Sequence, residues 1–442
     1  MAQQATPKGQ QGKQQGGQPP AGTGTAPTGE TPAVEREAME RDPRLLPEAT
    51  TAKGLLTEAT RRIRGGELGP LPVIVGLIVI CIVFQSLNSN FLTPQNLSNL
   101  SLQIVYYGLL STGVIMVLLL GEIDLSIGSI SGMAAAVLGV LAVNVGINGV
   151  LAIALAVLAG TLAGTIQGTL FAKVGVPAFV VTLAGLLGWQ GAQLYLLGSD
   201  GTINVPYEGP IAYLTQTFFV PWVGWTIGAV AVGAFALTTF IGERRRAKAG
   251  LPAKSTVNIA TRTVLLALPV FGGVMVLNMW KGVPLAFLIF VGFVVAFDLM
   301  LRKTPYGRKV FAVGGNAEAA RRAGINVDLI RISVFALAST LSAVGGVMTV
   351  SRGFAVSQTT GGGEVLMLAI AAAVIGGTSL FGGRGNAYSA LLGGLVLGAI
   401  TSGLYLLQMD ASVRFMITAV VLLIAVILDA MSRRSRKQHA RS

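Results

Sequence analysis

Two carboxylates stand close together in a stretch of sequence that is otherwise apolar. Glu122 and Asp124 belong to GEIDLSIG, residues 121–128, which lies between two long apolar runs. A carboxylate left unpaired in lipid is costly, so each needs a partner, water or a helix end. Ser126 follows Asp124, and both residue types favour the start of a helix. We expect Glu122, Asp124 and Ser126 to cap a broken helix or line a water-accessible route, with capping favoured over ligand binding. Solvation at a membrane boundary is the simpler alternative.

Glycine and small hydroxyl residues cluster in the last third of the chain, at 361–363, 376–379 and 382–385. Their spacing differs from the GxxxxGK[ST] phosphate loop, which occurs nowhere in the sequence. Small residues let helix backbones approach closely in lipid, so tight packing is favoured over ligand contact. The residues assigned to a helix break or pathway here are Gly376, Gly377, Thr378 and Ser379.

A charged segment, residues 306–328, separates two apolar runs and reads YGRKVFAVGGNAEAARRAGINVD. Its Ala, Glu and Arg favour a short helix, with Asn316 as a plausible N-cap and Gly324 as a stop. Alanines beside Arg321 and Arg322 would make this helix amphipathic. Such a helix suits docking into a groove of another protein, and a solvated loop is the alternative.

The residue types that carry most enzyme and metal chemistry are scarce. The chain has one cysteine, Cys81, and one histidine, His439. This composition argues against a structural zinc site or a histidine-based active site. We find no converging nucleophile set, so we predict no catalytic, cofactor-binding or metal-binding residue. Any active transport would need energy from a partner or an ion gradient, because the sequence has no nucleotide loop.

The composition is that of a membrane protein. Apolar residues make up 52% of the chain and charged residues 12%, roughly half the charged share of a soluble domain. The apolar residues collect in runs long enough for helices to cross a bilayer, which takes about 20 residues. A transmembrane barrel would instead alternate over strands of about ten residues. We expect an all-α, polytopic transmembrane helical bundle.

Hydropathy predicts about 10–12 spans. The twelve candidates are residues 71–88, 98–120, 126–146, 149–172, 178–198, 220–241, 262–280, 283–301, 329–352, 363–380, 386–408 and 411–431. Broken or re-entrant helices are equally expected at 121–148 and 353–385, where glycine and polar residues interrupt the pattern. Residues 121–128 align with 376–383 at two glycines and a leucine, which favours two related halves.

Lysine and arginine concentrate at residues 244–262, 302–331 and 433–441, each beside an apolar run. If the chain starts inside, twelve spans place all three stretches in the cytoplasm, as the positive-inside rule requires. The net charge of +13 therefore indicates orientation, with cytoplasmic N- and C-termini. A nucleic-acid partner is not expected, because a phosphate-binding surface would not be divided by apolar spans.

The polypeptide divides into three regions. Residues 1–65 are expected to form a disordered cytoplasmic tail, because the first 50 are rich in Gln, Gly, Pro, Thr and Ala and bury too little surface to fold. The tail lacks the early apolar stretch of a secretory signal. Residues 66–431 form the transmembrane domain, and residues 432–442 a basic cytoplasmic tail.

Four motifs make the chain resemble the permeases of ABC importers. Within the longest of them, EAA followed by Gly resembles the cytoplasmic motif with which these permeases engage their ATPase subunits. The run YGRKVFAVGGNAEAARRAGINV, with EIDLSIGS, VPAFVVTLAG and IGGTSLFGGRG, is similar to the ribose and xylose class of sugar permeases. The likeness covers about residues 70–430. Glu122 before IDLS, and the extra segment 220–301 with KGVP, are most similar to xylose permeases.

This resemblance implies a transport subunit that is not an enzyme. It would carry a monosaccharide, D-xylose or a related pentose, across the inner membrane as a homodimer without a cofactor. An extracytoplasmic sugar-binding protein would deliver the sugar, and ATP would be hydrolysed in separate ATPase subunits docking at residues 302–328. The residues implied in docking are Gly315, Asn316, Glu318, Ala319, Ala320 and Gly324.

Two other functions remain as alternatives. The chain could be an ABC permease for ribose or another small solute. An ion-driven secondary transporter would need intramembrane acids paired with cations, and Asp298 and Asp429, which lie at span ends, fit that requirement poorly.

One position departs from the class. Where its members carry two acidic residues just before AIAA, this chain has Leu366 and Leu368. Glu364, slightly earlier in the chain, is the candidate replacement, and we group it with the residues of the pathway or helix break.

Overall fold

The computed structural model describes residues 71–250, 256–380 and 382–421, together with Leu423 and Ile427. The predicted tails at 1–65 and 432–442, and the end of the last predicted span, lie outside these residues.

The apolar runs form helices in the order of the sequence. The first group is α1 (Leu71–Leu87), α2 (Pro94–Leu119), α3 (Ile127–Gly139, continued by a π-helical turn at Val140–Asn144), α4 (Gly149–Thr169, continued by a π-helical turn at Leu170–Val174) and α5 (Ala178–Leu197). The second group is α6 (Pro210–Gln216), α7 (Pro221–Lys248), α8 (Thr256–Asn278), α9 (Leu285–Lys303), α10 (Pro305–Gly315) and α11 (Ala317–Arg322). The third group is α12 (Val327–Gly353), α13 (Gly363–Ile375), α14 (Tyr388–Leu406) and α15 (Ala411–Val421).

The all-α prediction is confirmed, because the strands of the described residues are few and short. They are β1 (Thr202–Asn204), β2 (Phe218–Phe219), β3 (Val283–Pro284) and β4 (Ala355–Ser357). β1 pairs antiparallel with β4, and β2 pairs antiparallel with β3. Each predicted span coincides with a helix. Within the described residues, nine helices are long and apolar enough to cross a membrane, and α1, α13 and α15 are shorter.

α12 lies at the centre of the bundle, where it packs against α2, α3 and α4. Small residues bring these backbones together. A Cβ placed on Gly113 of α2 would lie 2.7 Å from the carbonyl oxygen of Ala338. On α4, a Cβ at Gly168 would lie 2.9 Å from the Cα of Ile332. Close backbone approach through small residues is the usual way in which helices associate in lipid.

The extra segment at 220–301 forms α7, α8 and α9. α7 and α8 pack mainly against each other, and the most apolar window of α8 has no buried residue. α9 instead joins the core, where Phe290 is fully buried against Gly108 of α2. This pair of exposed helices is therefore an addition to the bundle and not part of its centre.

Two helices begin level with the middle of α12. The hydroxyl of Ser342, near the midpoint of α12, donates a hydrogen bond to the carbonyl of Ile127, the first residue of α3. Just before α13, Gly361 lies against α3, where a Cβ on it would be 2.8 Å from the Cα of Gly132. Non-helical chain at 120–126 and 358–362 leads into these two starts. The structure thus shows the helix interruptions that the sequence predicts.

Candidate functional site

The predicted docking segment consists of two short helices with well-formed ends. Thr304 accepts a hydrogen bond from the N–H of Gly307 (3.3 Å) and so caps α10. Asn316 accepts one from the N–H of Ala319 (2.9 Å) and caps α11. Gly324, with φ of +80°, ends the segment in the left-handed conformation. The predicted cap at Asn316 and stop at Gly324 are confirmed.

α11 presents most of its predicted docking residues to the outside. Ala320, 4% exposed, is the anchor that holds the helix against the bundle. Glu318 pairs with Arg322 at 3.4 Å, and both side chains are largely exposed. The other exposed docking residues are Gly315, Asn316, Ala319 and Gly324. This exposed surface of mixed charge is available to another protein.

Three segments distant in sequence meet beside α10, and we call this contact the three-segment junction: Leu119–Gly121, Gly314 and Gly382–Gly383. The N–H of Gly383 donates to the carbonyl of Leu119 at 3.0 Å. A Cβ on Gly382 would lie 2.8 Å from the Cα of Gly121 and 3.0 Å from the carbonyl oxygen of Gly314. A Cβ on Gly314 would overlap the carbonyl oxygen of Leu119. Backbone therefore touches backbone on every side of the junction.

This geometry suits the transmission of a displacement. Side chains can change rotamer under load, whereas packed backbones move only together. The helix next to the predicted docking residues thus contacts, through backbone atoms, both the chain that enters α3 and the chain that enters α14.

The two carboxylates of GEIDLSIG have different surroundings. Glu122 is half-buried, and the positive charge of Arg331, near the start of α12, attracts its carboxylate. This placement agrees with the boundary alternative for Glu122. Asp124 is only 3% exposed. Its Oδ1 accepts hydrogen bonds from the N–H (2.8 Å) and the hydroxyl (2.6 Å) of Ser126, while its Oδ2 has no partner.

Capping at the start of α3 differs from the usual pattern. Ser126 occupies the N-cap position, but its side chain accepts no hydrogen bond from the helix. Asp124 instead stabilises the turn that leads into the helix. The Ser126 hydroxyl also lies 3.0 Å from the side-chain amide of Gln167 on α4. The nearby amide atom is the oxygen Oε1. A hydroxyl has one proton, so Ser126 can donate to Asp124 Oδ1 or to Gln167 Oε1, but not to both at once.

The contacts of Gly376–Ser379 agree with the prediction that these small residues serve close packing of the chain. A Cβ on Gly376 would overlap the carbonyl oxygen of Ser389 on α14, and Gly377 has φ of +100°. Thr378 is buried. The N–H of Ser379 donates to the carbonyl of Arg384 at 3.0 Å, which closes the loop between α13 and α14.

Leu366, one of the two positions at which this chain lacks the acidic residue of the class, lies where α3 and α13 meet. Leu366 is 7% exposed, and its Cβ would be 3.3 Å from a Cβ on Gly128 of α3. An acid here would be buried against the start of that helix. Glu364 is exposed in the first turn of α13, where a negative charge is favourable because the helix N-terminus is electropositive.

Sequence reasoning missed the buried glutamines of the site. Gln167 supports Ser126, and Gln193 of α5 donates to the carbonyl oxygens of Ser357 and Thr360, both at 2.9 Å. Each is a glutamine inside a predicted apolar span. Its residue type was the available signal, because polar groups inside membrane spans are usually paired or functional.

Known proteins provide an independent comparison. The family described as branched-chain amino acid transport system / permease component matches residues 96–426. The chain is 32% identical over 363 residues to the xylose transport system permease protein of Escherichia coli K12, covering 82% of this chain and 92% of that protein. It is 34% identical over 375 residues to the ribose import permease protein of Bacillus subtilis, covering 85% of this chain and 97% of that protein. No solved structure matches the chain.

Proposed function

The chain belongs to the branched-chain amino acid transport system / permease component family, as an ABC sugar permease of the ribose and xylose class, and on this premise we propose that it imports D-xylose or a related pentose. It is a multi-pass protein of the inner membrane and a transport component, not an enzyme. We further propose that it works as a homodimer with two ATPase subunits and an extracytoplasmic sugar-binding protein.

The observation that carries the proposal is the exposed helix α11 joined through α10 to the three-segment junction. ATPase subunits would dock at Gly315–Gly324 and push on α10. The junction would pass the movement to the starts of α3 and α14. Nucleotide binding would in this way favour one of two packings of the bundle, as alternating access requires.

The basic residues support a cytoplasmic position for α10 and α11. α7 ends in Arg245, Arg246 and Lys248, and α9 ends in Arg302 and Lys303. Both helix ends face the same side as α10 if the spans alternate. The positive-inside rule then favours the cytoplasm for this side, and for both chain termini.

Similarity to the xylose permeases, and the extra helices at 220–301, favour xylose as the sugar. Cells that lack pentose import of their own, and that express this chain with its ATPase and binding protein, should accumulate labelled D-xylose. An excess of unlabelled xylose should reduce the accumulation of labelled xylose more than the same concentration of ribose, arabinose or glucose does. Stronger suppression by ribose would move the assignment to ribose, which the 34% identity to a ribose permease makes the second candidate.

The docking surface can be tested by charge reversal. Glu318→Lys should lower recovery of the ATPase in a pull-down at least about tenfold, since a like charge facing a partner's basic group costs several kcal/mol. Gly324→Trp should do the same by blocking the exposed turn. Glu208→Lys, an exposed glutamate elsewhere in the chain, is the control and should leave recovery unchanged.

Membrane orientation can be read from the same assay. Purified ATPase should bind inverted vesicles that contain the chain and should not bind right-side-out vesicles. Binding to right-side-out vesicles alone would contradict the cytoplasmic placement of α11.

A further inference from the structure

We infer that a small polar cavity where α3, α5 and the start of α13 meet is the point at which hydroxyl groups of the passing sugar contact this chain. The inference rests on the proposed function, and it assigns that function a place and a set of residues. The cavity is lined by Ser129, Leu186, Gln190, Gln193, Gln358, Thr360 and the backbone of Gly361–Gly363.

One end of the cavity lies deep in the bundle. Ser129 is in the first turn of α3, and that helix starts level with the middle of α12. α12 has 27 residues, about 40 Å at 1.5 Å per residue, and so spans the bilayer fully. The cavity thus extends from Ser129, level with the middle of α12, to Gln358, whose N–H donates to the carbonyl of Gly201 beyond the end of α5. It lies between the centre of the bundle and the end at which α12 terminates. Helix starts that meet near the centre are typical of solute sites in transporters.

The surrounding structure holds the cavity in place. Gln193 is 1% exposed, and its amide binds the carbonyl oxygens of Ser357 and Thr360. Gly361, with φ of +76°, presses its backbone against α3 at Gly132. A buried glutamine that ties down the backbone of another segment fixes the geometry of the lining.

The chemistry of the lining is neutral. Its side-chain polar groups are hydroxyls and primary amides, which both donate and accept hydrogen bonds, as sugar hydroxyls do. The electropositive starts of the two helices already have carboxylates of this chain beside them. Glu364 lies in the first turn of α13, and Asp124 bonds the N–H of Ser126 just before α3.

These carboxylates disfavour a negatively charged solute in the cavity. A solute carboxylate would meet like charge here and would find no cation in the lining. The site therefore suits an uncharged polyhydroxylated solute, and not an amino acid.

Two side chains of the lining are reachable from outside the fold. Gln190 and Gln358 are exposed. Gln358 lies beside Gly201 near the end of the bundle, whereas Gln190 is deeper along α5, where an amide would be costly if it faced lipid. Gln190 therefore faces a polar route, which in the proposed homodimer would run between the two copies. The enclosed space is about 20 Å³, room for about one water molecule. The sugar would thus touch this surface in passing and would not be enclosed by it.

The test compares leucine variants in cells that express the complete transporter. Gln190→Leu and Gln358→Leu should each lower the initial rate of labelled D-xylose uptake about tenfold, the effect of losing roughly one hydrogen bond of 1.4 kcal/mol. Gln216→Leu, on the exposed surface of α6, is the matched control and should transport normally. ATP hydrolysis by the assembled complex should persist in all three variants.

A second measurement does not depend on the leucine variants folding. In a Cys81→Ala background, which leaves no other cysteine, Gln190→Cys should react with a membrane-impermeant thiol reagent. Saturating xylose should slow this reaction several-fold.

Failure of the contact site and failure of the proposed function would give different results. Normal uptake by both leucine variants, or a thiol reaction rate in the Gln190→Cys variant that xylose does not change, would overturn the contact site and leave the permease function standing. Failure of the wild-type transporter to take up any pentose would overturn the proposed function, and the contact site with it.

Discussion

Gly382→Ala should abolish sugar uptake, whereas Gly383→Ala should retain most of it. The two glycines are neighbours with similar left-handed backbones, φ of +82° and +70°, so both substitutions carry the same penalty of about 1–2 kcal/mol for that conformation. The two positions differ in the space available for an added Cβ atom. A Cβ at Gly382 would press on Gly121 and Gly314, while at Gly383 the nearest atom is 3.7 Å away. Only the first change forces the three-segment junction apart.

Uptake and ATP hydrolysis should be measured together for this pair. If the junction transmits the movement of α10, Gly382→Ala should leave ATPase subunits bound and hydrolysing ATP while sugar uptake is lost. Equal loss of uptake in both variants would show that backbone strain, and not close approach, is responsible. Normal uptake by Gly382→Ala would refute the transmitting role of the junction.

Gly361→Ala should produce a large loss of stability. Gly361 has φ of +76°, and a Cβ there would lie 2.5 Å from the backbone nitrogen of Gly132, inside α3. The helix backbone cannot yield as a flexible side chain can. Overpacking of this kind costs about 1–3 kcal/mol beyond the conformational strain, so we expect a total loss of about 3 kcal/mol or more.

Gly175→Ala is the matched control for this measurement. Gly175 has a left-handed backbone with φ of +80° and open space around its Cα, so its substitution carries the strain without the overlap. Thermal unfolding of the detergent-purified proteins should therefore give a much lower midpoint for Gly361→Ala than for Gly175→Ala. Equal midpoints would mean that the meeting of α3 with the start of α13 is looser than the structure shows.

The helical architecture was predictable because the bilayer imposes it. A span needs a minimum length of apolar residues, and that length is visible along the sequence. The ends of α11 were predictable for a similar reason, since a cap is a local interaction between residues three apart. Asn316 and Gly324 are recognisable without knowledge of the rest of the fold.

The site itself depends on contacts that no local pattern records. Gly121, Gly314 and Gly382 meet through backbone atoms, so no side-chain type marks the encounter. Glu122 and Asp124 look equivalent in sequence, yet one faces the end of the bundle and the other is buried. Depth is a property of the folded chain, and only the bend of residues 120–126 into the interior separates the two carboxylates.

The shared depth at which α3 and α13 begin has an electrical consequence. Moving one elementary charge across the membrane requires about 2.3 kcal/mol per 100 mV, whereas an uncharged solute crosses that field without electrical work. At this level the backbone of Gly361 lies directly against Gly128 and Gly132 of α3. The two segments therefore meet without a gap through which an ion could be driven between them.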